Sequence, residues 1–375
     1  MKRRELLKRA AGAYGGVLAA WRLPAAMAEG KQTMASAETE AGLAWHDVRE
    51  GGVEGKGWTE TESFFDRLPA KAKGVVRPPV WDLSRHSAGM CFDFETDATT
   101  IHARWTLISE SLAMPHMPAT GVSGLDLYAR DEGGRWGWVS IGRPEGVQTQ
   151  TVLAGGLRPG RRTYRVYLPL YNGVTSVAVG VAPDAFFRAI PPRREGAIVF
   201  YGTSIVQGGC ASRPGMAHPA ILGRRLERPT INLGFSGNGQ MEPEVAALLA
   251  EIAAGCFVID CLPNMGAEMV AERTEPLVRT IRRAHPETPV VLVEDRTFCG
   301  TPFVAGHREG HAARRGALRK AYEALVADGV PGLHYVSGEH LLGDDDEATV
   351  DGSHPTDLGF VRMADALEPV LRPLV

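Results

Sequence analysis

Ser204 is the residue whose setting first indicates chemistry in this chain. It follows an apolar run at 196–201 through Gly202 and Thr203, and the glycine pair Gly208-Gly209 comes soon after it. A hydroxyl at the carboxyl end of a buried strand lies where a ligand can reach it. An ordinary serine is a weak nucleophile, however, and a neighbouring base must remove its proton.

Asp351 and His354 are suited to supply that base. They are three residues apart, so one loop can carry both side chains and the carboxylate can orient the imidazole. A D-x-x-H sequence is common by chance: alone, Asp351 is typical of a helix entry and His354 of a surface histidine. Their place just before Pro355 and a final helical stretch puts them at the same sheet edge as Ser204. We therefore predict a catalytic triad of Ser204, His354 and Asp351.

Two further segments offer hydrogen-bond donors at that edge. The glycine-rich residues 232–239 follow the second apolar run of this half, and Asn264 comes just after the third. Donors aimed at a developing oxyanion are worth about 2.7–4 kcal/mol each in acyl transfer. Each segment alone is typical of a turn, but together with the triad they predict an oxyanion hole.

The elements that must position these residues form an alternating pattern. Near-continuous apolar strands separated by amphipathic helices are typical of a parallel sheet covered on both faces, with ligands at the carboxyl ends of its strands. We therefore predict an α/β domain at 196–375. Its predicted strands are 196–201, 230–233, 257–262, 289–294 and 333–336, and its predicted helices lie around 216–227, 243–254, 272–284, 308–327 and 357–371.

Residues 44–190 have a different pattern, in which short stretches alternate between apolar and polar residues and are separated by turns. Many short strands of this kind predict a β-sandwich. A linker at 191–195, which contains Pro191 and Pro192, ends the pattern. The predicted strands include 90–95, 100–105, 124–129, 136–140, 165–168 and 176–180.

The second half resembles the SGNH (GDSL-type) hydrolases, whose four sequence blocks are found here in the expected order. Ser204 matches the nucleophile of the family, Gly237 the second-block glycine, Asn264 the third-block asparagine, and Asp351 with His354 the last block. The resemblance implies a flavodoxin-like fold. It also implies an oxyanion hole made by the backbone N–H groups of Ser204 and Gly237 and the side chain of Asn264.

Two blocks depart from the usual family pattern. Thr203 stands where the name-giving aspartate is usually found, and the segment 262–265, Leu-Pro-Asn-Met, lacks the glycine and the aspartate of the usual G-x-N-D block. These departures do not affect the triad residues, but the identity of the substrate cannot be inferred from the blocks.

The first half carries a second signature. Gly124-Leu125-Asp126-Leu127-Tyr128 matches the G-x-D-L-Y motif of a β-sandwich domain, jelly-roll-like in form, that precedes SGNH esterase domains. Two linked signatures in the expected order are more specific than either alone. Proteins with this arrangement resemble carbohydrate esterases and related secreted esterases.

The N-terminus resembles a twin-arginine export signal. Arg3-Arg4 is followed by an Ala/Gly-rich run, and Ala26-Met27-Ala28 provides an A-x-A cleavage site. We predict a signal peptide at 1–28, a polar tail at 29–43 and a periplasmic or extracellular location. No apolar stretch of the sequence approaches the ~20 residues of a membrane helix.

The gross composition excludes several classes of protein. A net charge of −3 gives no electrostatic reason to expect a nucleic-acid partner. The five cysteines form neither a disulfide framework nor a spacing typical of a zinc site. The predicted partner is an acylated small molecule or polysaccharide, no cofactor or metal is predicted, and the oligomeric state stays open.

Three residues are candidates for substrate binding, each with a competing structural interpretation. Arg213 either meets the substrate or braces the loop after the nucleophile. Glu294 either binds the substrate or forms an internal ion pair. His116 either reaches the cleft or packs between the halves. His307 and His311 are one helical turn apart, but without a third ligand they indicate a solvated helix start.

The leading functional hypothesis is hydrolysis of short-chain carboxylic esters, with O-acetyl groups on carbohydrate as the expected substrates. The alternatives are a lipase or thioesterase that prefers longer acyl chains, acyl transfer to a sugar, and a non-catalytic glycan-binding protein on the same fold.

Overall fold

The computed structural model describes residues 38–40 and 42–375. The predicted export signal at 1–28 and most of the predicted tail at 29–43 lie outside the described residues. Among the helices of the described part, none is both long enough and apolar enough to cross a bilayer.

Two antiparallel sheets form the first half, as the alternating pattern predicts. One sheet has the order β1-β2-β9-β4-β7 and the other β10-β3-β8-β5-β6. Three short helices lie between the strands. The strands are β1 (Glu38–Glu40), β2 (Leu43–Asp47), β3 (Cys91–Thr96), β4 (Thr100–Leu107), β5 (Leu125–Arg130), β6 (Trp136–Gly142), β7 (Gln148–Gly155), β8 (Arg162–Tyr167), β9 (Val174–Val181) and β10 (Phe187–Ile190), and the helices are α1 (Val48–Gly51), α2 (Pro78–Ser84) and α3 (Ala119–Val122).

Alternate residues of these strands fill one shared core. In β4, Ile101, Ala103 and Trp105 are buried while their neighbours in sequence are partly exposed. They pack with residues of the opposite sheet such as Phe94 and Leu127. The two sheets therefore form a sandwich, because successive side chains of a strand point to opposite faces.

The second half is an α/β unit around a five-stranded sheet. Its strands are ordered β12-β11-β13-β14-β15, and every neighbouring pair is parallel. The elements are β11 (Ala197–Gly202), α4 (Ser204–Gln207), α5 (His218–Leu226), β12 (Thr230–Gly234), α6 (Pro243–Leu249), β13 (Ala254–Asp260), α7 (Ala267–Ala284), β14 (Val290–Val293), α8 (His307–Ala327), β15 (Leu333–Val336) and α9 (Asp357–Leu371).

Helices cover both faces of this sheet. Val199 of β11 lies in a core with residues of α6, α7 and α8, whereas its neighbour Phe200 lies in a second core with residues of α5 and α9. Every residue of β11 is buried. The fold class predicted from the sequence, a flavodoxin-like α/β unit after a β-sandwich, is confirmed.

One segment of the first half packs against the second. Leu68, Ala72, Val76 and Val80 are buried in the core that also contains α6 and α7. This segment covers the edge of the sheet at β12, where Ile231 and Leu233 belong to the same core. The boundary between the halves at 191–195 stays a prediction.

Candidate active site

The turn after β11 presents Ser204. Thr203 caps the short helix α4 with its hydroxyl, which accepts a hydrogen bond from the backbone N–H of Ile205 at 3.3 Å. A Cβ at Gly202 would lie 2.3 Å from the carbonyl oxygen of Asp260, so only glycine fits where β11 passes β13. The tight turn sets Ser204 at the carboxyl edge of the sheet.

Ser204, His354 and Asp351 form a connected chain of side chains. Ser204 Oγ lies 2.9 Å from His354 Nε2, and His354 Nδ1 lies 2.8 Å from Asp351 Oδ2. With the proton on Nδ1, that nitrogen donates to the carboxylate and Nε2 accepts from the serine hydroxyl. The structure thus brings together the three residues that the sequence placed at one edge, in the arrangement that activates a serine.

Asp351 is held as a carboxylate. Its Oδ1 accepts hydrogen bonds from the backbone N–H groups of Ser353, at 3.0 Å, and His354, at 2.8 Å. Partial burial alone raises the pKa of Asp351, but the hydrogen bonds from the backbone and ring of His354 and from Ser353 outweigh it and lower the pKa to about 2. The carboxylate is therefore charged at any pH at which His354 acts as a base.

The predicted oxyanion-hole residues Gly237 and Asn264 belong to two segments that contact each other next to the turn that carries Ser204. Asn264 Oδ1 accepts a hydrogen bond from the backbone N–H of Gly239 at 3.2 Å, which leaves its amide group as the donor. A Cβ at Gly239 would lie 2.1 Å from the carbonyl oxygen of Gly202, so this loop packs directly on the turn that carries Ser204. Gly237 is exposed and has a φ of 70°, a conformation that favours glycine.

A buried arginine of the first half holds the loop that contains Gly237. Arg67 Nη1 donates to the carbonyl oxygens of Asn232, at 3.1 Å, and Gly234, at 2.7 Å, and its Nε donates to His86 O at 2.9 Å. Burial lowers the pKa of Arg67 to about 9. Its partners are carbonyl groups, so Arg67 fixes backbone at the end of β12.

Another buried arginine holds the loop that carries Asp351 and His354. Arg296 Nε donates to the carbonyl oxygen of Ser353 at 3.1 Å, and its Nη2 donates to Ser353 Oγ. Its Nη1 is paired with Asp295. Arg296 comes just after β14, so this contact fixes the loop to the parallel sheet.

Asp295 links this arginine to α8. Its carboxylate accepts from Arg314 Nε at 3.0 Å and lies 3.2 Å from His311 Nδ1. Burial alone raises the pKa of Asp295, but the charge of Arg296 and the hydrogen bond from His311 lower it to about 2. The prediction of a solvated helix start was wrong for His311, which is 3% exposed because it supports this pair.

Arg213 forms hydrogen bonds with residues of the first half of the chain. Its Nη1 donates to Asp126 Oδ2 at 2.9 Å and to the hydroxyl of Tyr128. Asp126 also accepts from Gly215 N at 2.8 Å. The aspartate and tyrosine of the G-x-D-L-Y motif therefore bind the loop that follows Ser204. These contacts favour the bracing role for Arg213.

His116 and Glu294 have opposite surroundings. The exposed ring of His116 lies 5.8 Å from the ring of His354, measured between centroids, so this loop of the first half reaches the triad. Glu294 is 2% exposed and accepts from Arg319 at 2.8 Å and from the N–H of Gly338 at 2.8 Å. Its carboxylate is therefore engaged inside the fold, as the ion-pair interpretation expects.

Two residues near Ser204 were missed by the sequence reasoning. The hydroxyl of Tyr171 donates to the carbonyl oxygen of Ser204 at 3.2 Å. The sulfur of Cys210 lies within 4.8 Å of a ring nitrogen of His354 and of a ring nitrogen of His116. The pair Gly208-Gly209 was the available signal, since a Cβ at Gly209 would lie 2.8 Å from the Tyr171 hydroxyl.

Family models match both halves of the chain. The model of the GDSL-like lipase/acylhydrolase family matches residues 195–372, and the model of the N-terminus of SGNH-hydrolase-type esterases (GxDLY) matches residues 43–187. A solved structure from Bacteroides ovatus, described as a GDSL-like lipase, is 36% identical and has a TM-score of 0.84, with 88% of this chain and 98% of that chain covered. The chain belongs to the GDSL-like lipase/acylhydrolase family. It is a carboxylic ester hydrolase of the SGNH type.

More distant structures share the fold of this SGNH hydrolase. A salicylyl-acyltransferase from a tetracycline biosynthetic pathway is 18% identical with a TM-score of 0.67, covering 90% of this chain and 96% of that chain. A family two carbohydrate esterase from Clostridium thermocellum, in complex with cellohexaose, is 14% identical with a TM-score of 0.54, covering 76% and 92%. Among proteins of curated function, none matches this chain.

Proposed function

We propose that this SGNH hydrolase is an exported esterase that removes short acyl groups, with O-acetyl groups on carbohydrate as its substrates, and that Ser204, His354 and Asp351 are its catalytic residues. The observation that carries the proposal is the continuous chain from Ser204 Oγ through both ring nitrogens of His354 to Asp351, with separations of 2.9 and 2.8 Å.

The reaction follows from that chain. Ser204 Oγ attacks the ester carbonyl carbon while His354 Nε2 takes the hydroxyl proton, and the imidazolium is stabilised by Asp351. When the tetrahedral intermediate collapses, His354 returns the proton to the departing alcohol oxygen. Water then attacks the acyl-enzyme by the same path and releases the carboxylic acid, which restores Ser204.

The oxyanion of each tetrahedral intermediate is bound by three donors. In the proposal these are the N–H groups of Ser204 and Gly237 and the amide of Asn264. The contact between Gly239 N–H and Asn264 Oδ1 supports this role, because it engages the amide oxygen and leaves the NH2 group of Asn264 as the donor. Donors held rigidly before the reaction need no reorganisation when charge develops.

A sugar substrate is supported by the polar groups around the triad. Ser236, Asn238 and Gln240 are partly exposed beside Gly237, and His116 is exposed beside His354. The carbohydrate esterase from Clostridium thermocellum shares the two-part fold. We expect the first half to supply His116 as one wall of the cleft.

The test is hydrolysis of p-nitrophenyl acetate by the wild type and by Ser204→Ala. We expect the variant to lose activity by about 10⁶-fold, down to a background set by the oxyanion hole. Equal rates would overturn the mechanism. Mass spectrometry of what the enzyme releases from a panel of acetylated polysaccharides then identifies the substrate. If a series of esters of increasing acyl length gave the highest rate with long chains, the substrate would be a lipid-like ester and not an acetyl ester.

Acyl transfer is the second candidate, favoured by the fold that the chain shares with the salicylyl-acyltransferase. Transfer uses the same residues, with an alcohol in place of water in the second step. Product analysis with excess acceptor alcohol separates the two reactions, since a transferase forms a new ester whereas a hydrolase releases free acid.

Export is proposed from Arg3-Arg4 and the A-x-A site at 26–28. Replacing both arginines by lysine should keep the enzyme in the cytoplasm of its host. An unchanged distribution between cell fractions would contradict a twin-arginine route.

A further inference from the structure

Two side chains with metal-binding atoms lie beside His354 and take no part in the proposed reaction. A ring nitrogen of His116, a ring nitrogen of His354 and the sulfur of Cys210 lie within 4.8 Å of one another. The three residues come from distant parts of the chain: a loop of the β-sandwich, the bend after α4, and the loop before α9. The tertiary structure alone brings them together.

The separation of these atoms suits a single metal ion. Zinc binds histidine nitrogen at about 2.0–2.1 Å and cysteine sulfur at about 2.3 Å in a tetrahedral arrangement, so ligands of one ion lie roughly 3.3–3.8 Å apart. The atoms here lie up to 4.8 Å apart, which is about 1–1.5 Å more than that. His116 is exposed, so its side chain can rotate towards Cys210 and His354 without moving the fold.

His354 already has the second contact that a metal-binding histidine needs. Histidine ligands commonly donate their other N–H to a carboxylate, which orients the ring and raises its basicity. His354 Nδ1 has this contact with Asp351 at 2.8 Å. Nε2 is therefore the nitrogen that a metal would take, in place of its hydrogen bond with Ser204 Oγ at 2.9 Å.

The backbone at Cys210 is also unusual. Its φ is 73°, in the left-handed region that non-glycine residues seldom adopt. Its side chain is 5% exposed. Residues held in such strained conformations cluster at functional sites. The sulfur of this residue lies within 4.8 Å of a ring nitrogen of His354.

We propose that His116, Cys210 and His354 form an inhibitory site for a divalent metal ion that prefers nitrogen and sulfur ligands, Zn²⁺ or Cd²⁺. Two imidazoles and one thiolate select such ions over Mg²⁺ and Ca²⁺, which prefer oxygen ligands. The bound ion occupies the Nε2 lone pair that would accept the serine proton. Inhibition rests on the proposed role of His354 as base, whereas binding of the ion does not.

The experiment titrates the full chain, treated with EDTA, with Zn²⁺ and measures binding by calorimetry and ester hydrolysis in parallel. We expect one ion to bind per chain, the rate to fall over the same concentration range, and EDTA to restore it. Mg²⁺ and Ca²⁺ should leave the rate unchanged. Co²⁺ in place of Zn²⁺ should give a thiolate charge-transfer absorption.

Variants assign the ligands. Cys210→Ala removes the sulfur and keeps the Cβ. It should weaken Zn²⁺ binding by at least about tenfold, since loss of even an outer-shell partner of a metal site costs about 10–100-fold in affinity. It should also abolish the Co²⁺ absorption band. His116→Gln changes an exposed residue and should weaken binding likewise. Cys299→Ala is the matched control, because it removes a partly exposed thiol from a residue whose backbone N–H donates to Gly352 O. Its affinity for Zn²⁺ should stay at the wild-type value.

Equal Zn²⁺ affinity in the wild type, Cys210→Ala and His116→Gln would overturn the proposal, as would absence of binding in the wild type. Ser204→Ala separates this result from the fate of the proposed function. We expect it to lose hydrolysis and to bind Zn²⁺ at least as tightly, because its hydroxyl no longer occupies Nε2. If Ser204→Ala hydrolysed esters normally, the mechanism would fail, while the binding isotherms would still decide on the metal site.

Discussion

The two sides of the catalytic cleft are built in different ways. Ser204 follows a strand whose residues are all buried, and it is itself 6% exposed. Asp351 and His354 lie in a loop between β15 and α9, with side chains 40% and 26% exposed. We call the first the nucleophile side, residues 202–208 with 234–239, and the second the acid–base side, residues 351–354.

Backbone geometry fixes the nucleophile side, and side chains fix the acid–base side. Gly202, Gly234 and Gly239 allow contacts that any Cβ would prevent, such as 2.1 Å from a Cβ at Gly234 to the backbone nitrogen of Gln207. The acid–base loop is instead held by Arg296 and by hydrogen bonds within itself. Single substitutions should therefore shift the acid–base loop more easily than the nucleophile turn.

The largest effect on the acid–base side is expected from Asp351→Asn. An amide at this position favours the wrong tautomer of His354, and we expect kcat to fall by about 10⁴-fold with the fold intact. Steady-state kinetics and circular dichroism check this. The exposed Asp346→Asn, in the acidic run before the loop, is the matched control and should keep wild-type kcat. A fall of less than tenfold in Asp351→Asn would show that the carboxylate is dispensable.

On the opposite side, Asn264→Ala removes one of the three proposed oxyanion donors. We expect kcat to fall by about 10²–10³-fold with little change in KM, because the lost hydrogen bond is strongest in the transition state. A rise in KM at unchanged kcat would instead indicate that Asn264 binds the substrate in its ground state.

The contrast between the sides is sharpened by Arg296→Met. Loss of the donors to Ser353 should let the Asp351–His354 loop shift, and a displacement of about 1 Å costs up to about 10²-fold in rate. We expect kcat to fall and the pH profile of kcat/KM to change, because the base moves relative to Ser204. Ser353→Ala removes only one acceptor and should have a smaller effect. Unchanged kcat in Arg296→Met would show that the loop holds its own geometry.

The smallest expected effect concerns the support behind Arg296. The pKa of Asp295 is lowered from 3.8 to about 2, so its ionised form stabilises the fold above pH 4 by about 2 kcal/mol, and that contribution is lost as the pH falls from about 4 to about 2. Asp295→Asn should lower the free energy of unfolding at pH 7 by at least this amount. Denaturant unfolding at pH 7 and pH 3 checks it; a difference from wild type that does not shrink at the lower pH would contradict the assignment.

Most strands and helices could be predicted because their periodicity is local. Helix α9 has the predicted bounds, 357–371, and β15 the predicted bounds, 333–336. Strand β7, Gln148–Gly155, was not predicted, because its first residues are polar and it pairs only with β4 along one edge of its sheet. The burial of His311 was missed because its partner Asp295 lies 16 residues earlier in the chain.

The sequence alone determined the candidate triad, the two-part architecture and the family, because these depend on residue types at fixed spacings and on local periodicity. Only the tertiary structure decided which residues surround the triad. The role of the G-x-D-L-Y motif in binding Arg213, the support of Asp351 and His354 by Arg296, and the meeting of His116 with Cys210 all depend on contacts between residues far apart in the chain. Such contacts follow from the packing of whole elements, and no local pattern in the sequence records them.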